Sequence, residues 1–321
     1  MDIKEKLPRI KENIPLRNYT TFKIGGPARY FFEAKTKENL ISAIKTAKEF
    51  NLPFFVLAGG SNVLVSDKGY KGLVIHILDS KFQILNSNVI AEAGAKLSEA
   101  LKAAAEKDLA GLEWAAGIPG TVGGAVYGNA GAFWFSMQDI VRGVKALDLK
   151  TLKIKNISFK NCAFSSKDSI FKHNKNLIIL SVVLKLKRGN KKQIQDKIEE
   201  YVNYRKEKHP LDFPSAGCIF KNYTPEIKNQ KLFKKFPELV DFNKKGRIPS
   251  AYLIEKCGLK GKRAGDAQIS GKHANFIVNL RNAKADDVKK LIRLIKQKVK
   301  NKFGIILEEE IQYLDPHTKR V

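Results

Sequence analysis

The feature that most constrains this 321-residue chain is a glycine-dense, nearly uncharged segment. Residues 117–132 read GIPGTVGGAVYGNAGA and contain six glycines. A flexible linker would be more polar, whereas Ile118, Val122 and Tyr127 supply apolar anchors here, so we expect an ordered and packed segment. Because glycine has no side chain, its backbone can approach a bulky ligand closely. The segment therefore predicts part of a cofactor site.

A second glycine segment, LAGGSNVLV, covers Leu57 to Val65 between two apolar stretches. Backbone N–H groups that converge in such a turn bind phosphate oxygens without any charged side chain. Alone, this segment is equally consistent with a tight turn between strands, but two such turns suit the two phosphates of a dinucleotide. Neither segment matches the GxGxxG fingerprint or the Walker A sequence, so we expect a dinucleotide site of another type. The predicted cofactor-binding residues are Gly59, Gly60, Ser61, Asn62, Gly117, Ile118, Gly120, Thr121, Gly123, Gly124, Asn129 and Gly131.

The hydrophobic pattern predicts sheet and helix in each part of the chain, an α+β fold. It begins as a β-α-β-β unit, with strands at 28–34, 53–58 and 73–77 and a helix that Thr36 caps. Further strands are predicted at 89–92, 144–149 and 177–187, and helices at 97–107 and 194–204. An amphipathic helix carrying Val288, Leu291, Ile292, Ile295 and Val299 ends near Gly304, and a final strand is predicted over 305–313.

The composition is that of a globular protein, with 43% hydrophobic and 28% charged residues. The charged N-terminus does not resemble a signal peptide, and no stretch approaches the roughly 18 apolar residues that span a bilayer. We therefore expect a cytoplasmic protein without membrane contact. Cys162, Cys218 and Cys257 lie far apart, and neither cysteine nor carboxylate spacing suits a metal, so we predict none.

The net charge of +27 is large, and its lysines are spread along the whole chain. The simplest interpretation is a solvated, lysine-rich surface. Such a field also attracts polyanionic cofactors and nucleotide sugars. A nucleic-acid-binding protein without catalytic activity is the alternative, although such proteins concentrate their basic residues on one face or arm.

A series of motifs in order resembles the UDP-N-acetylenolpyruvoylglucosamine reductase family from about residue 18 to residue 313. The motifs are NYTTFKIGGPA (18–28), LAGGSNVLV, AAGIPGTVGGAVYGNAGA (115–132), DSIFKH (168–173), SAGCIFKN (215–222), LIEKCGLKG (253–261), SGKHANFIVN (270–279) and LEEEI (307–311).

The resemblance implies a vanillyl-alcohol-oxidase-type (PCMH-type) FAD-binding domain of two α/β lobes and a C-terminal α+β substrate domain. The implied boundaries are 1–78 for the first lobe, to which a strand in 305–321 returns, 79–200 for the second lobe and 201–304 for the substrate domain.

The implied reaction has two halves. NADPH reduces FAD and leaves, and a UDP-sugar enolpyruvyl ether takes its place and receives a hydride at its methylene carbon, while a protein acid protonates the neighbouring carbon. The product is UDP-N-acetylmuramate, a peptidoglycan precursor. No histidine lies inside either glycine segment, so we expect non-covalent FAD, and we expect a monomer. Another FAD-dependent oxidoreductase of this fold, acting on a different substrate, is the alternative function.

The resemblance also implies the catalytic residues. Cys218 would donate the proton, and a free thiol with a pKa of about 8.5 is mostly protonated at neutral pH. Glu310 would help to stabilise the enolic carboxylate. Lys167 stands where the family has an arginine, and it keeps the charge but loses the two-pronged donor geometry, so Arg205 or another base is an alternative. The predicted substrate-binding residues are Lys221, Asn222, His273 and Asn275, and a structural role is the alternative for the last two.

Overall fold

A computed structural model describes residues 2–318. We call residues 2–208 the N-terminal part and residues 209–318 the C-terminal part. The N-terminal part begins with a four-stranded sheet in which the outer pair is antiparallel and the other pairs are parallel. Thr36 caps the helix Lys37–Glu49, which connects two of these parallel strands, so the predicted β-α-β beginning is observed. In sheet order the strands are Lys11–Pro15, Pro27–Ala34, Tyr70–Ile77 and Phe54–Leu57.

A second sheet of five antiparallel strands follows. Helices Leu97–Glu106 and Val122–Tyr127 pack on it. One hydrophobic core joins the two sheets, with Leu73 from the first sheet, Ile44 from the helix Lys37–Glu49 and Leu180 from the second sheet. The first glycine segment follows strand Phe54–Leu57 of the first sheet, and the second contains the helix Val122–Tyr127, which packs on the second sheet. In sheet order the strands of the second sheet are Ile154–Ser158, Val141–Asp148, Leu177–Lys185, Asn88–Glu92 and Phe82–Leu85.

The C-terminal part holds a third, antiparallel sheet and the long helix Ala285–Phe303. The predicted apolar face of this helix is buried, and Gly304 ends it at a φ of 71°. Phe22 and Leu64 of the N-terminal part join this second core, so the two parts share packed surface. In sheet order the strands are Ser215–Cys218, Phe276–Asn279, Ala267–Ile269 and Arg263–Ala264.

Shorter elements complete the fold. Among residues 2–318, no helix combines the length and apolar character that a membrane crossing requires. The two-stranded ribbons are Leu109–Ala110 with Lys187–Arg188 and Gly131–Ala132 with Phe135–Ser136. The remaining α-helices are Ile3–Lys6, Ile170–His173, Lys191–Lys208, Gln230–Lys235, Glu238–Lys244 and Ser250–Lys256.

The final strand is shorter than predicted. Gln312–Leu314 pairs in parallel with Val63–Val65 of the N-terminal part. The residues just before it are hydrogen-bonded elsewhere: Glu310 N–H donates to Ile219 O at 2.8 Å, and Lys221 N–H donates to Glu308 O at 2.9 Å. The segment predicted as one continuous strand therefore changes hydrogen-bonding partners along its length. Residues 319–321 of the predicted returning strand lie outside the described residues.

The helix Lys191–Lys208 runs across the predicted boundary at residue 200, and its Tyr201 belongs to the core of the N-terminal part. The domain boundaries remain predictions.

A half-buried histidine makes stability depend on pH. His209 follows the helix Lys191–Lys208 and packs against His273 and Phe276. Burial, and secondarily the neighbouring His273, lowers the pKa of His209 to about 4. An unfolded histidine has a pKa of about 6.5. The unfolded chain therefore binds more protons between these values, so this stabilisation is complete above pH 6.5 and is lost as the pH falls toward 4.

We expect the free energy of unfolding to decrease between pH 7 and pH 4.5, with His209 contributing on the order of 3 kcal/mol at most. His209→Gln should flatten this dependence in urea titrations, because glutamine cannot take up the proton. The exposed His317 provides a control, since His317→Gln should leave the dependence unchanged. If the free energy of unfolding falls with pH as steeply in His209→Gln as in the parent protein, His209 is not the source of this pH dependence.

Candidate functional site

The two glycine segments meet in the fold. A Cβ atom on Gly59 would lie 2.8 Å from Gly120 Cα, and a Cβ atom on Gly120 would lie 2.8 Å from Ser61 Oγ. Gly120 also has a φ of 121°, which side chains rarely allow. Thr121 then caps the helix Val122–Tyr127 by accepting a hydrogen bond from Gly124 N–H at 3.1 Å. Glycine is therefore required where the segments touch.

This junction fits the diphosphate of FAD. Across residues 2–318, no protein acceptor takes the backbone N–H groups of Gly59, Gly60 or Ser61. Gly59 is exposed and Ser61 half-exposed, so a ligand can approach these two residues. Converging free amides on glycine-lined backbone are the donors that phosphate oxygens require. The residues present therefore suit a dinucleotide held without a covalent bond.

Several other predicted cofactor residues maintain the shape of the second glycine segment. Gly123 packs so closely on strand Asn88–Glu92 and its continuation that a Cβ atom would lie 2.6 Å from Ala93 Cβ. The Asn129 side-chain amide donates to Ser165 O at 2.7 Å and to Gln138 Oε1 at 3.1 Å. Ile118 packs against the core of the N-terminal part. The sequence alone did not separate these supporting positions from those at the junction.

Glu310 lies between both glycine segments. Its carboxylate is 3.3 Å from Lys167 Nζ, which also donates to Gly131 O at 3.1 Å. Its backbone carbonyl accepts a hydrogen bond from Asn62 Nδ2 at 3.1 Å. Lys167 is itself in the left-handed region, with a φ of 57°. The structure thus brings the predicted catalytic lysine and glutamate together at the cofactor junction.

The structure distinguishes the three consecutive glutamates that spacing alone could not separate. The Glu308 side chain is 71% exposed and pairs with Lys221, whereas Glu309 pairs with Lys296 and with the Tyr313 hydroxyl. Glu310 is only 16% exposed and points toward Lys167.

Cys218 is half-buried at the end of strand Ser215–Cys218. Burial, and then the carboxylate of Glu310, raises the pKa of the Cys218 thiol to about 12, although Lys167 and Arg205 act in the opposite direction. The thiol is therefore protonated across the neutral range. A protonated thiol can donate hydrogen, and the cationic side chains beside it would stabilise the thiolate left behind.

Arg205 connects the second glycine segment with Cys218. Its Nε donates to Ala116 O at 2.7 Å and its Nη2 to Trp114 O at 3.2 Å. A Cβ atom on Gly117 would lie 2.8 Å from Arg205 Cδ. Burial lowers the pKa of the guanidinium. Arg205 is thus fixed by backbone carbonyls, while Lys167 is the cation paired with Glu310.

Lys172 is a candidate that the sequence reasoning missed. Its ammonium donates to Lys167 O at 2.6 Å. Burial, followed by the charge of Lys221, lowers the pKa of Lys172, and Glu310 partly offsets this effect. Lys167, Lys172 and Lys221 therefore form a cationic cluster around Glu310. The DSIFKH motif contained Lys172, but nothing in its spacing indicated that the side chain turns toward residue 167.

The predicted substrate residues have different surroundings. Asn222 accepts a hydrogen bond from Ser250 N–H at 3.2 Å, at the start of helix Ser250–Lys256. Asn275 pairs with both the N–H and the carbonyl of Phe220, at 2.9 and 2.8 Å. His273 packs against His209 and Phe276. Lys221 lies in the cationic cluster. Within residues 2–318, no three His, Cys, Asp or Glu side chains form a group that could hold a metal ion.

Comparisons with known proteins agree with this geometry. A family profile described as "FAD binding domain" matches residues 28–156, and one described as "UDP-N-acetylenolpyruvoylglucosamine reductase, C-terminal domain" matches residues 209–314. UDP-N-acetylenolpyruvoylglucosamine reductase from Caldicellulosiruptor bescii is 42% identical, with 94% of this chain and 89% of that protein covered. The enzyme of the same name from Clostridium novyi is 37% identical, with coverage of 97% and 96%.

This chain belongs to the UDP-N-acetylenolpyruvoylglucosamine reductase family. The crystal structure of the reductase from Thermus caldophilus has a TM-score of 0.75 at 32% identity, covering 95% of this chain and 98% of that one. The predicted α+β fold, with an FAD-binding domain and a C-terminal α+β domain, is confirmed. The protein is an FAD-dependent oxidoreductase.

The contact between the glycine segments provides a test of FAD binding. Gly59→Ala should force the backbone of the two segments apart, because the new methyl would meet Gly120 Cα at 2.8 Å. We expect FAD affinity to fall at least about tenfold, which corresponds to about 1.4 kcal/mol. Equilibrium dialysis of the apoprotein with FAD measures this.

Gly128→Ala, in the second glycine segment, is the matched control. Its Cβ would lie 3.7 Å from Gly124 O, an ordinary contact, and its φ is −92°. It should bind FAD as the parent protein does. If Gly59→Ala and Gly128→Ala bind FAD equally well, the junction is not the phosphate site.

Proposed function

We propose that this protein uses NADPH to reduce the enolpyruvyl group of UDP-N-acetylglucosamine enolpyruvate, giving UDP-N-acetylmuramate for peptidoglycan synthesis. The observation that carries this proposal is the convergence of Cys218, Lys167 and Glu310 beside the two glycine segments. The chemistry that FAD supplies when bound is hydride transfer, from NADPH and then to the substrate. A cytoplasmic location and a monomeric state remain predictions.

The charges around the site suit such a substrate. A UDP-sugar enolpyruvate carries a diphosphate and a carboxylate, and Lys167, Lys172 and Lys221 offer three ammonium groups near one another. The anionic substrate can therefore take over part of the charge neutralisation that Glu310 provides to Lys167. The net charge of +27 adds a long-range attraction for polyanions.

Cys218 is proposed as the proton donor. Addition of hydride to the methylene carbon pushes an electron pair toward the carboxylate, which gives an enolate. Lys167 stabilises this negative charge, and the Cys218 S–H bond then breaks as its proton forms a C–H bond at the carbon bearing the ether oxygen. The product has gained one hydride and one proton. The thiolate lies near Lys167 and Arg205 until solvent reprotonates it.

Glu310 is proposed as the residue that orients Lys167. Its carboxylate holds the ammonium group at 3.3 Å while Gly131 O holds it from the other side. A flexible lysine fixed at two points loses less entropy when it meets the substrate. This arrangement supports the view that Lys167 performs the charge-stabilising work of an arginine.

The alternative is an FAD-dependent oxidoreductase of this fold that acts on another substrate. It would not account for the cationic cluster of Lys167, Lys172 and Lys221. The match of residues 209–314 to the C-terminal domain of the reductases supports the first function.

Replacing Cys218 separates the two half-reactions. Cys218→Ala should leave flavin reduction by NADPH intact and slow flavin reoxidation by the UDP-sugar about 10²–10⁴-fold, the usual worth of a positioned proton donor. Cys218→Ser keeps a donor hydroxyl and should reoxidise faster than Cys218→Ala. Stopped-flow absorbance of the flavin follows both steps. Equal losses in both half-reactions would show that Cys218 is not the acid.

Replacing Lys167 tests its proposed role in stabilising the negative charge of the enolate. Lys167→Arg keeps the positive charge and should be tolerated or improve turnover, whereas Lys167→Met should lower the rate of reoxidation about 10–10³-fold. Lys96→Met is a matched control, because Lys96 also pairs with a glutamate at 3.0 Å but is 67% exposed. A Lys167→Met protein that reoxidises at the parent rate would exclude this residue from charge stabilisation.

A further inference from the structure

An aromatic turn at the end of the second glycine segment has an unusual backbone. Strands Gly131–Ala132 and Phe135–Ser136 form a ribbon whose two-residue turn is Phe133–Trp134. The turn residues have φ angles of 51° and 71°. Both fall in the region that favours glycine or asparagine, and tight hairpin turns of this kind normally use those residues. The backbone strain of two bulky aromatic residues in left-handed conformations must be offset by the contacts of their side chains.

Phe133 makes its stabilising contacts within the N-terminal part. Its ring stacks on Tyr201 with centroids 3.9 Å apart, and the Arg205 guanidinium lies 5.3 Å from its centroid. This fixes the turn against the helix Lys191–Lys208, beside the arginine that approaches Cys218.

Trp134 points toward the C-terminal part. Its side chain contacts Arg247, whose guanidinium carbon is 3.8 Å from the centroid of the Trp134 ring, although Trp134 remains 67% exposed. A guanidinium over a tryptophan face is an attractive contact, and it is stronger when partly desolvated. Arg247 is half-buried and lies outside the residues to which the mechanism gives a role. The contact therefore bridges the two parts of the chain.

On each side of the contact between Trp134 and Arg247, hydrogen bonds connect it with the neighbourhood of one lysine of the cationic cluster. On the N-terminal side, Gly131 of the ribbon accepts the hydrogen bond from Lys167 Nζ at 3.1 Å. On the C-terminal side, Ile248 follows Arg247 and exchanges two backbone hydrogen bonds, of 2.8 and 3.0 Å, with Tyr223. Tyr223 lies two residues after Lys221.

We propose that Trp134 and Arg247 form a latch between the two parts of the chain, and that this latch positions Lys167 and Lys221 for reduction of the substrate. Trp134 and Arg247 are positioning residues, because they act on the reacting groups through these lysines. The inference rests on the proposed function, since positioning matters only when a substrate reaches the cluster. It explains why a strained tryptophan occupies a position for which glycine is the better backbone choice.

Two substitutions at residue 134 separate the ring from the turn. Trp134→Gly relieves the backbone strain at φ 71° but deletes the ring, whereas Trp134→Tyr keeps an aromatic face and the strain. If the ring matters, reoxidation of NADPH-reduced protein by saturating UDP-N-acetylglucosamine enolpyruvate should fall about tenfold in Trp134→Gly and less than about threefold in Trp134→Tyr. The loss in reoxidation should exceed any loss in flavin reduction, and the melting temperature of Trp134→Gly should not decrease.

A double-mutant cycle tests the contact itself. Arg247→Gln should slow reoxidation about as much as Trp134→Gly, and the double variant should be no slower than the slower single variant. A parent-like rate for Trp134→Gly, or losses that multiply in the double variant, would overturn the latch. If the parent protein itself is not reoxidised by the UDP-sugar, the proposed function fails and the latch fails with it. If the UDP-sugar reoxidises the parent protein and the variants at the same rate, the latch is overturned and the proposed function stands.

Discussion

The ion pair between Lys167 and Glu310 connects segments that lie far apart in the sequence. Lys167 also bonds to the end of the second glycine segment, and the backbone of Glu310 bonds to Asn62 in the first. Both side chains are largely shielded, with 29% and 16% exposure, so solvent weakens their attraction less than it weakens a surface pair. The shape of the site depends on this pair, because it holds the C-terminal segment against both cofactor loops.

The electrostatics follow from the same pair. Lys172 and Lys221 add positive charge near Lys167; Glu310 offsets part of this charge, and Glu308 pairs with Lys221. Burial together with that carboxylate keeps the Cys218 thiol neutral. A neutral donor beside several cations suits a reaction in which an anion forms and is then protonated. Lysine in place of an arginine is therefore compatible with the chemistry, since its geometry is set by two acceptors.

Much of this arrangement could be predicted from the sequence, because local pattern and chemistry agree there. The Thr36 cap, the apolar face of Ala285–Phe303 and the stop at Gly304 follow from residue types within one element. The glycine segments were identifiable because few other structures need glycine at that density. Their mutual contact between Gly59 and Gly120 is a tertiary feature, which no spacing within either segment encodes.

The remaining features depend on contacts between distant residues. The final strand was predicted to be longer than it is, because residues 308–310 bond to residues 219–221 before Gln312 pairs with Val63. Lys172 was missed because its orientation depends on the backbone of Lys167. Asn129 and Asn275 were predicted as ligand contacts, with a structural role as the alternative for Asn275, and the amides of both bond to protein groups. Polar residues in a motif can serve the fold as readily as the ligand.

The most direct test of the central claim is a single turnover in D₂O. The holoenzyme is reduced with NADPH and mixed with UDP-N-acetylglucosamine enolpyruvate, and the product is examined by NMR. If hydride reaches the methylene carbon and an exchangeable thiol protonates its neighbour, one deuterium should appear on the carbon bearing the ether oxygen. A carbon bearing the ether oxygen that carries no deuterium, or a reduced flavin that the UDP-sugar does not reoxidise, would contradict the account.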